Sequence, residues 1–461
     1  MLVLLLFVTA FLQTGVVIGQ DILPSQILSR NKKAYTSSGR TDNLTDNQFN
    51  NSSWTASNDS WIALYIGSGP QKVFFSWNDP SYSWSDQIAA ANSCKNSIRL
   101  LVDYKIQTSS NSSNGSNGDW STVETITGNS VTARGHAVDF SGAAWIRLLI
   151  EEGSGSIDEI EVFDISQNED DIWFFVGTSI SANTYKGTPP PINFAEHIHV
   201  GHTAYAPAMI RGGIPCILSR NMSDDIDDYL AASAGAKYWA IEMGTNDAWG
   251  GSSGNVSTFK SNLQSIITSC QNAGIEPIIA RVLSTNETAA GWQVHPDFLT
   301  AVDDLTTTNN LIAGPDLYTW FIENPQGLSD DGVHPNAQGA REIQRLWAEA
   351  MLPLYGEADS TEVIYEEILS VQPENSSSIF KIYPNPVSNY LDVSIDTSWK
   401  SDQVVVKIID MDGKEVVSQK IENESFVKFN LRTLKNAVYF VKVTNVSIGQ
   451  STTQKVVLKS E

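Results

Sequence analysis

The chain has 461 residues, of which 41% are hydrophobic and 18% are charged. This composition is typical of a globular protein with several domains and excludes a mainly disordered chain. The formal net charge of −23 argues against nucleic acid or an anionic membrane surface as a partner. It fits a soluble, exported protein with a well-solvated surface.

The N-terminal segment 1–19 is apolar and uncharged, and it is followed by "QDILPSQ". Its position and its short apolar core predict a cleaved signal peptide, although the usual basic residues at its start are absent. A retained membrane anchor is the alternative. No later segment of the sequence is long and apolar enough to cross a bilayer, so we expect no stable membrane span.

Segment 20–165 is rich in Ser, Asn, Trp and Tyr and contains short apolar runs between turn-forming clusters. This pattern predicts an all-β sandwich. The expected strands are "WIALYI", "KVFFSW", "IRLLVDYKIQTS", "WSTVETI", "AWIRLLIEE" and "IDEIEVFD". The stretch "SGAAWIRLLIEEGSGSIDEIEVFD" resembles the last strands of discoidin-like, galactose-binding jelly rolls. That resemblance implies a jelly-roll sandwich and a carbohydrate-binding role.

Four aromatic residues of this segment are predicted to be exposed, where their rings could stack on sugars: Trp54, Trp77, Tyr82 and Trp84. The alternative is that they belong to the core or to the general surface. The whole sandwich also has two interpretations. It is either a glycan-binding module or an obligate structural partner that completes the wall of an active site.

Segment 172–355 alternates apolar strands with helical stretches. The expected elements are "IWFFVG", "AKYWAIEMG", the helix "VSTFKSNLQSIITSCQNAG", "IEPIIARV" and the helix "NAQGAREIQRLWAEAM". Such alternation predicts an α/β domain with a parallel sheet and helices on both faces. In folds of this kind the chemistry lies at the carboxyl ends of the strands.

The C-terminal part of the chain predicts an acidic linker over 356–379 and a small β-sandwich over 380–461. Its β-type runs include "VVVKIID" and "EVVSQK", which are joined by "MDGK", and Asp-Gly between two such runs is a hairpin signal. Its "YPNP" opening and "AVYFVKV" strand resemble the C-terminal sorting domain of the type IX secretion system of Bacteroidetes. The resemblance implies the type IX machinery as a partner and a secreted or cell-surface location.

Three polar motifs of segment 172–355 carry a candidate catalytic site. Ser179 and Asn246 each follow the end of an apolar strand by two residues, and Asp331 precedes His334 by three residues. A serine nucleophile needs a base, an orienting carboxylate and donors for an oxyanion. The Asp331–His334 spacing lets the carboxylate reach Nδ1 while Nε2 faces the serine. The motifs therefore predict a serine hydrolase that forms an acyl-enzyme.

The motifs "GTSI", "GTND" and "DGVH", in this order, resemble three blocks of the SGNH, or GDSL-type, hydrolases. The resemblance implies a three-layer α/β fold without a cofactor. It also implies Ser179 as nucleophile, His334 as general base and Asp331 as its orienting acid. The oxyanion hole would then contain the backbone N–H of Ser179 and the side chain of Asn246.

The sequence departs from this family pattern at two places. Thr178 stands where the first block usually has an aspartate, and we expect activity to survive because this position supports the nucleophile without reacting. The second departure is in "MIRGGIPCILSRNMSDD", which does not reproduce the family block that supplies a third oxyanion donor. Gly213 is predicted to fill it, with Gly212 or Arg220 as alternatives, and Asp330 is an alternative orienting acid.

Indirect features of the sequence indicate the substrate. The loops "DAWGGSSGN" and "STNETAAGWQVHP" are polar and carry single tryptophans, Trp249 and Trp292, whose rings suit sugar faces. No apolar lid is evident. The sequence predicts a carbohydrate O-acetylesterase that acts on an acetylated polysaccharide or oligosaccharide. The alternatives are a lipolytic or aryl esterase, or a catalytically silent carbohydrate-binding surface protein.

The cysteines and histidines give no metal motif. An odd number of cysteines, Cys94, Cys216 and Cys270, leaves at least one unpaired. We expect mostly buried thiols, with Cys216–Cys270 as a candidate disulfide. In "HIHVGH", His197 and His199 would share one face of a strand and could pair on a metal. No acidic or cysteine ligand lies close to them in the sequence, so we expect no metal.

Overall fold

The structure, a computed structural model, describes residues 27–41, 43–49, 53–79, 100–187, 190–358, 380–385, 387–395, 399, 403–409, 415–422, 425–446 and 450–459. The predicted signal peptide, most of the predicted linker, and Tyr82, Trp84 and Cys94 lie outside these residues. The described residues up to 358 form one compact unit and those from 380 form a second. The predicted sandwich and α/β domain therefore belong to the same unit. No helix of the described residues is long and apolar enough to cross a membrane.

The first part of this unit is a set of antiparallel sheets. Its strands are β1 (Ala34–Thr36), β2 (Trp54–Thr55), β3 (Trp61–Tyr65), β4 (Lys72–Asn78), β5 (Leu101–Ser109), β6 (Ser121–Ile126), β7 (Ala133–Asp139), β8 (Trp145–Gly153), β9 (Ser156–Ile157) and β10 (Glu159–Asp164). They form a five-stranded sheet, β1-β3-β8-β5-β6, a three-stranded sheet, β10-β4-β7, and the pair β2-β9. Each of the six predicted runs contains a strand. β7 was not predicted, because Gly135 and His136 break the apolar pattern of its sequence.

Trp54 and Trp77 lie in the core of these sheets, so the prediction that they are exposed is wrong. Each is 2% exposed. The indole of Trp54 donates to the carbonyl of Ser38 at 2.8 Å, and that of Trp77 donates to the hydroxyl of Tyr104 at 3.3 Å. Both rings fill the core because their polar N–H groups find acceptors there.

The α/β part contains a four-stranded parallel sheet. Its strands are β11 (Ile172–Gly177), β12 (Ala208–Gly213), β13 (Tyr238–Glu242) and β14 (Glu276–Ile279), in the order β12-β11-β13-β14. Because the strands are parallel, the loops that follow them meet at one edge of the sheet. The edge strand β12 was not predicted, since its sequence "AMIRGG" contains a charge and two glycines.

Helices cover this sheet. They are α1 (Ser179–Asn183), α2 (Phe194–Gly201), α3 (Ser219–Asp224), α4 (Ile226–Ala232), α5 (Val256–Asn272), α6 (Glu287–Ala290), α7 (Pro296–Thr308), α8 (Leu317–Glu323) and α9 (Ala337–Met351). The two predicted long helices are α5 and α9. α5 buries Phe259, Leu263 and Ile266 on one stripe, which is the spacing of an amphipathic helix.

The three-stranded sheet β10-β4-β7 packs against the edge strand β12. Phe74 and Phe163 of that sheet lie in the same hydrophobic core as Ile210 of β12. Arg211 of β12 is buried and donates from Nε and Nη2 to both carboxylate oxygens of Glu161, at 2.9 and 2.8 Å. The sandwich thus covers the edge of the α/β sheet, which favours a structural partner over a detachable module.

The candidate Cys216–Cys270 disulfide and the placement of His197 and His199 on a strand are wrong, whereas the expectation of a buried thiol is confirmed for Cys270. Cys216 is disulfide-bonded whereas Cys270 is a free, buried thiol, so these two residues do not pair with each other. His197 and His199 lie on α2, whose capping box between Asn193 and Glu196 starts a helix there. Successive helical residues are turned by about 100°, so these histidines do not share a face. Among the described residues, no group of three possible ligands could hold a metal.

The second unit is a pair of antiparallel sheets. Its strands are β15 (Phe380–Tyr383), β16 (Tyr390–Ile395), β17 (Gln403–Ile409), β18 (Glu415–Glu422), β19 (Phe426–Asn430), β20 (Ala437–Asn445) and β21 (Gln450–Leu458). The sheets have the orders β15-β16-β19 and β18-β17-β20-β21. The alternating pattern of β17 and β19 buries every second side chain, as expected for sheets with one face on a core.

Candidate active site

Ser179, His334 and Asp331 form a continuous chain of hydrogen bonds. Ser179 Oγ lies 2.8 Å from His334 Nε2, and His334 Nδ1 lies 2.7 Å from Asp331 Oδ2. The structure thus brings together three residues that are up to 155 positions apart in sequence. These distances and the use of both ring nitrogens are what a general base and its orienting acid require.

The end of β11 and the start of α1 position Ser179. Thr178 is the N-cap of α1, and its hydroxyl accepts from the N–H of Ile180 at 3.1 Å. The N–H of Ser181 donates to Glu242. The N–H of Ser179 has no acceptor among the described residues, so it remains available to an oxyanion.

The loop before α9 positions His334. Asp331 Oδ1 accepts from the backbone N–H groups of Val333 and His334, at 2.9 and 3.0 Å, while Oδ2 accepts from the imidazole. Burial raises the pKa of Asp331, but these hydrogen bonds outweigh it and the net direction is downward. The carboxyl therefore stays ionised at neutral pH. Asp330 is exposed and makes no hydrogen bond to His334 among the described residues.

Asn246 follows a sharp turn after β13. Gly244 has φ +121°, and a Cβ there would lie 2.6 Å from Val282, so the turn requires glycine. The Asn246 amide donates to the carbonyl of Ile217 at 2.8 Å. An amide carries two N–H groups, so this bond orients the side chain and leaves a second donor for the substrate.

Gly213 ends β12 against α1. A Cβ at this position would lie 2.3 Å from the backbone nitrogen of Ala182, so glycine permits the close packing. The N–H groups of Ala208 and Ile214 donate toward β11, and since the donors of a strand alternate in direction, the N–H of Gly213 points away from β11. Its part as third oxyanion donor stays a prediction. Of the alternatives, Gly212 is buried within β12 and Arg220 has an exposed side chain on α3.

Glu242 is a buried carboxyl beside the Ser179 segment, and the sequence motifs did not identify it. Its side chain is at the end of β13 and accepts from the hydroxyl of Ser181 at 2.8 Å and from that of Thr178 at 3.2 Å. Burial raises its pKa to about 7, although the hydrogen bonds from Ser181 and Thr178 act in the opposite direction. A single acidic residue within the apolar run "YWAIEM" is the sequence signal that could have found it.

Two tryptophans lie on the loops that carry site residues. Trp249 is 59% exposed and its ring centroid lies 5.2 Å from that of Trp292. Trp249 is three residues after Asn246, and its N–H donates to the Asn246 carbonyl at 3.3 Å. Trp292 follows the short helix α6, whose N-cap is Asn286. The N–H of Asn286 donates to the carbonyl of Gly332, next to Asp331. The two tryptophans thus lie on segments that are hydrogen-bonded to the backbone of Asn246 and of Gly332.

Comparisons with known proteins identify the C-terminal unit. Residues 381–459 match the secretion system C-terminal sorting domain family, so this part of the chain belongs to that family. The protein is accordingly one that type IX secretion delivers to the cell surface or the extracellular space. No curated protein matches the chain.

Solved structures similar to this chain include esterases and a carbohydrate-binding module. A lipase/acylhydrolase from Enterococcus faecalis is 18% identical, with 40% of this chain and 96% of that chain covered and a TM-score of 0.33. Axe2, an acetylxylan esterase from Geobacillus stearothermophilus, is 16% identical, with 40% and 94% covered and a TM-score of 0.31. Chitosan-binding module 1 of a Paenibacillus sp. IK-5 chitosanase/glucanase is 22% identical, with 30% and 98% covered and a TM-score of 0.22.

Proposed function

We propose that the protein is a secreted SGNH-type serine esterase that removes acetyl groups from an O-acetylated polysaccharide or oligosaccharide. The observation that carries this proposal is the hydrogen-bonded chain from Ser179 through His334 to Asp331. An aligned nucleophile, base and orienting acid at the carboxyl edge of a parallel sheet fit acyl transfer.

The proposed reaction has two halves. Ser179 Oγ attacks the ester carbonyl carbon while His334 Nε2 takes the hydroxyl proton, and the ionised Asp331 stabilises the imidazolium that forms. The tetrahedral intermediate collapses as His334 gives its proton to the sugar oxygen, which leaves as an alcohol. A water molecule, deprotonated by His334, then attacks the acetyl-serine. As the bond to Ser179 Oγ breaks, His334 returns the proton to that oxygen, and acetic acid leaves and ionises to acetate.

Two donors support the negative charge that develops on the carbonyl oxygen. The Ser179 N–H lacks an acceptor among the described residues, and the Asn246 amide keeps one N–H beyond its bond to Ile217. Gly213 is the proposed third donor. Removal of one such donor lowers kcat by roughly 10²–10³-fold. The Ser179 N–H and the Asn246 amide are therefore expected to contribute to the rate.

The surroundings of the triad support a large carbohydrate substrate. The side chains of His334 and Asp331 are 31% and 51% exposed, so the site is open to a polymer. The exposed ring of Trp249, backed by Trp292, offers an apolar face of the kind that stacks on a sugar ring. Type IX export would bring this site to glycans outside the cell.

Acetate release from a panel of O-acetylated xylan and pectin fragments tests the substrate class. Acetyl esters of sugars are expected to turn over faster than octanoyl esters, because a long acyl chain requires an apolar channel. Preference for octanoyl esters, with activation at a lipid interface, would contradict the proposal.

A further inference from the structure

We propose that Glu242 is a positioning residue for the nucleophile, and that its carboxyl oxygen holds the backbone on both sides of Ser179. This inference rests on the proposed function of Ser179 as the nucleophile. Glu242 lies at the carboxyl end of β13 and is 3% exposed. It touches no substrate, so its effect on the reaction is transmitted through the nucleophile loop.

A single oxygen of Glu242 collects three hydrogen bonds from the nucleophile loop. Oε2 accepts from Ser181 Oγ at 2.8 Å, from Ser181 N–H at 3.2 Å and from Thr178 Oγ1 at 3.2 Å. Thr178 and Ser181 stand before and after Ser179 in sequence. One buried atom thereby fixes both sides of the nucleophile to the neighbouring strand.

The space around Gly177 shows that the contact between Ser181 and Glu242 is tight. A Cβ at Gly177 would lie 2.2 Å from Ser181 Oγ and 2.2 Å from the Glu242 carbonyl oxygen. The absence of a side chain at Gly177 therefore leaves the space through which the Ser181 hydroxyl reaches Glu242. The "GTSIS" segment and Glu242 form one interdependent arrangement.

The nucleophile loop needs such an anchor because α1 has only five residues. A helix of this length is not stable by itself. The Thr178 hydroxyl accepts a hydrogen bond from the N–H of Ile180, and the Glu242 carboxyl accepts one from the N–H of Ser181. The N–H of Ser179 is then held in place as an oxyanion donor, and its hydroxyl is held toward His334. Misplacement of a reacting group by about 1 Å can cost about 10²-fold in rate.

The acceptor oxygen, and not the charge, carries this role. The second oxygen of Glu242, Oε1, is buried without a partner among the described residues. A glutamine can present its carbonyl oxygen to Ser181 and Thr178 and place its amide on the unpartnered side. Alanine removes the acceptor altogether.

Kinetics of E242Q and E242A with p-nitrophenyl acetate test the inference below the melting temperature of each variant. E242A is expected to lower kcat by about 10–100-fold, with KM changed by less than about threefold, since the ester-binding surface is intact. E242Q is expected to restore kcat to within about threefold of wild type. A kcat of E242A near wild type, or an equal loss in E242Q, would overturn the inference.

Asp171 supplies a matched control. It is another buried carboxyl of the same sheet, it precedes β11 at the end opposite to Ser179, and it accepts from Trp173 and Tyr355. D171A is expected to lower the melting temperature and to keep kcat. If D171A loses kcat as E242A does, a general loss of packing explains both and the inference fails.

Two further variants keep the test decisive. If E242A does not fold, S181A and T178V each remove one donor to the same oxygen, and each is expected to lower kcat by about 3–10-fold. Wild-type kcat in both would overturn the inference.

The variant S179A separates the proposed function from the role of Glu242. An active S179A would contradict the proposed function, whereas an inactive S179A with a fully active E242A would contradict only the role of Glu242.

Discussion

Arg211 of the α/β sheet and Glu161 of the sandwich form a buried, bidentate ion pair. The Arg211 guanidinium lies 3.7 Å from the centre of the Tyr185 ring. Tyr185 follows α1, the helix that begins at Ser179. The pair therefore connects the sandwich to the segment that carries the proposed nucleophile.

Replacement of Arg211 by methionine is expected to destabilise this unit strongly. The variant leaves the buried carboxyls of Glu161 and Glu159 without their cation, and loss of one partner of a buried pair costs about 3–5 kcal/mol. Urea unfolding followed by circular dichroism measures the effect. K72M is the control, because it breaks the exposed Lys72–Glu169 pair, which is worth at most about 1 kcal/mol. Equal losses in R211M and K72M would contradict a structural role for the buried pair.

Truncations are expected to distinguish the roles of the N-terminal sandwich and the C-terminal unit. Removal of 20–165 exposes the apolar face of β12, so the remainder is expected to lose its melting transition and the turnover of small esters. Removal of 366–461 takes away a separate compact unit, so turnover in vitro is expected to persist while export fails. Assays of both variants on p-nitrophenyl acetate give the result. Full activity without the sandwich would restore the interpretation as a detachable binding module.

Glu242 is expected to make stability depend on pH in a defined window. Its pKa is about 7 in the folded protein against an ordinary value of 4.5, so the folded state binds the proton more tightly. Stability from this group is complete below about pH 4.5 and is lost as pH rises to about 7. The difference between 4.5 and about 7 corresponds to a loss of roughly 3 kcal/mol at 1.36 kcal/mol per pH unit.

The comparison of wild type with E242Q isolates that contribution. Asp171, whose pKa burial raises to about 6, acts in the same direction in both proteins and cancels in the difference. The free energy of unfolding is expected to fall more between pH 5 and pH 8 in wild type than in E242Q. Parallel slopes in the two proteins would show that Glu242 does not titrate in this range.

Trp249 is expected to affect sugar esters selectively. W249A removes one stacking face, and an aromatic contact of about 0.5–1.5 kcal/mol corresponds to a loss of about 2–10-fold in kcat/KM on an acetylated oligosaccharide. Turnover of p-nitrophenyl acetate is expected to stay unchanged. Y65A, which removes an aromatic of similar exposure on the sandwich, is the control. An equal loss on both substrates would assign Trp249 to folding or to the general chemistry.

Local patterns of the sequence were sufficient to select the three residues that the structure brings together, Ser179, His334 and Asp331, but not the contacts around them. Asp331 and His334 lie within one loop, and Ser179 follows an unbroken apolar strand, so each could be predicted from a short stretch. Glu242 meets Ser181 across 61 positions, and only the pairing of β11 with β13 reveals that contact. The ion pair of Arg211 with Glu161 is equally non-local.

The wrong predictions about tryptophan and histidine have a common physical cause, which is that local composition and spacing do not determine which way a side chain points. Trp54 and Trp77 were expected on the surface because their segment is polar, yet their strands turn them into the core. His197 and His199 alternate as strand residues would, but the Asn193 capping box places them on a helix.

The turnover number of S179A tests the central claim most directly. The variant removes only the Oγ atom, which lies 2.8 Å from His334 Nε2, so the fold and the melting temperature are expected to change little. With p-nitrophenyl acetate and with an acetylated glycan, kcat is expected to fall by roughly 10³–10⁶-fold. Turnover near that of the wild type in a folded S179A would contradict the assignment of Ser179 as the nucleophile.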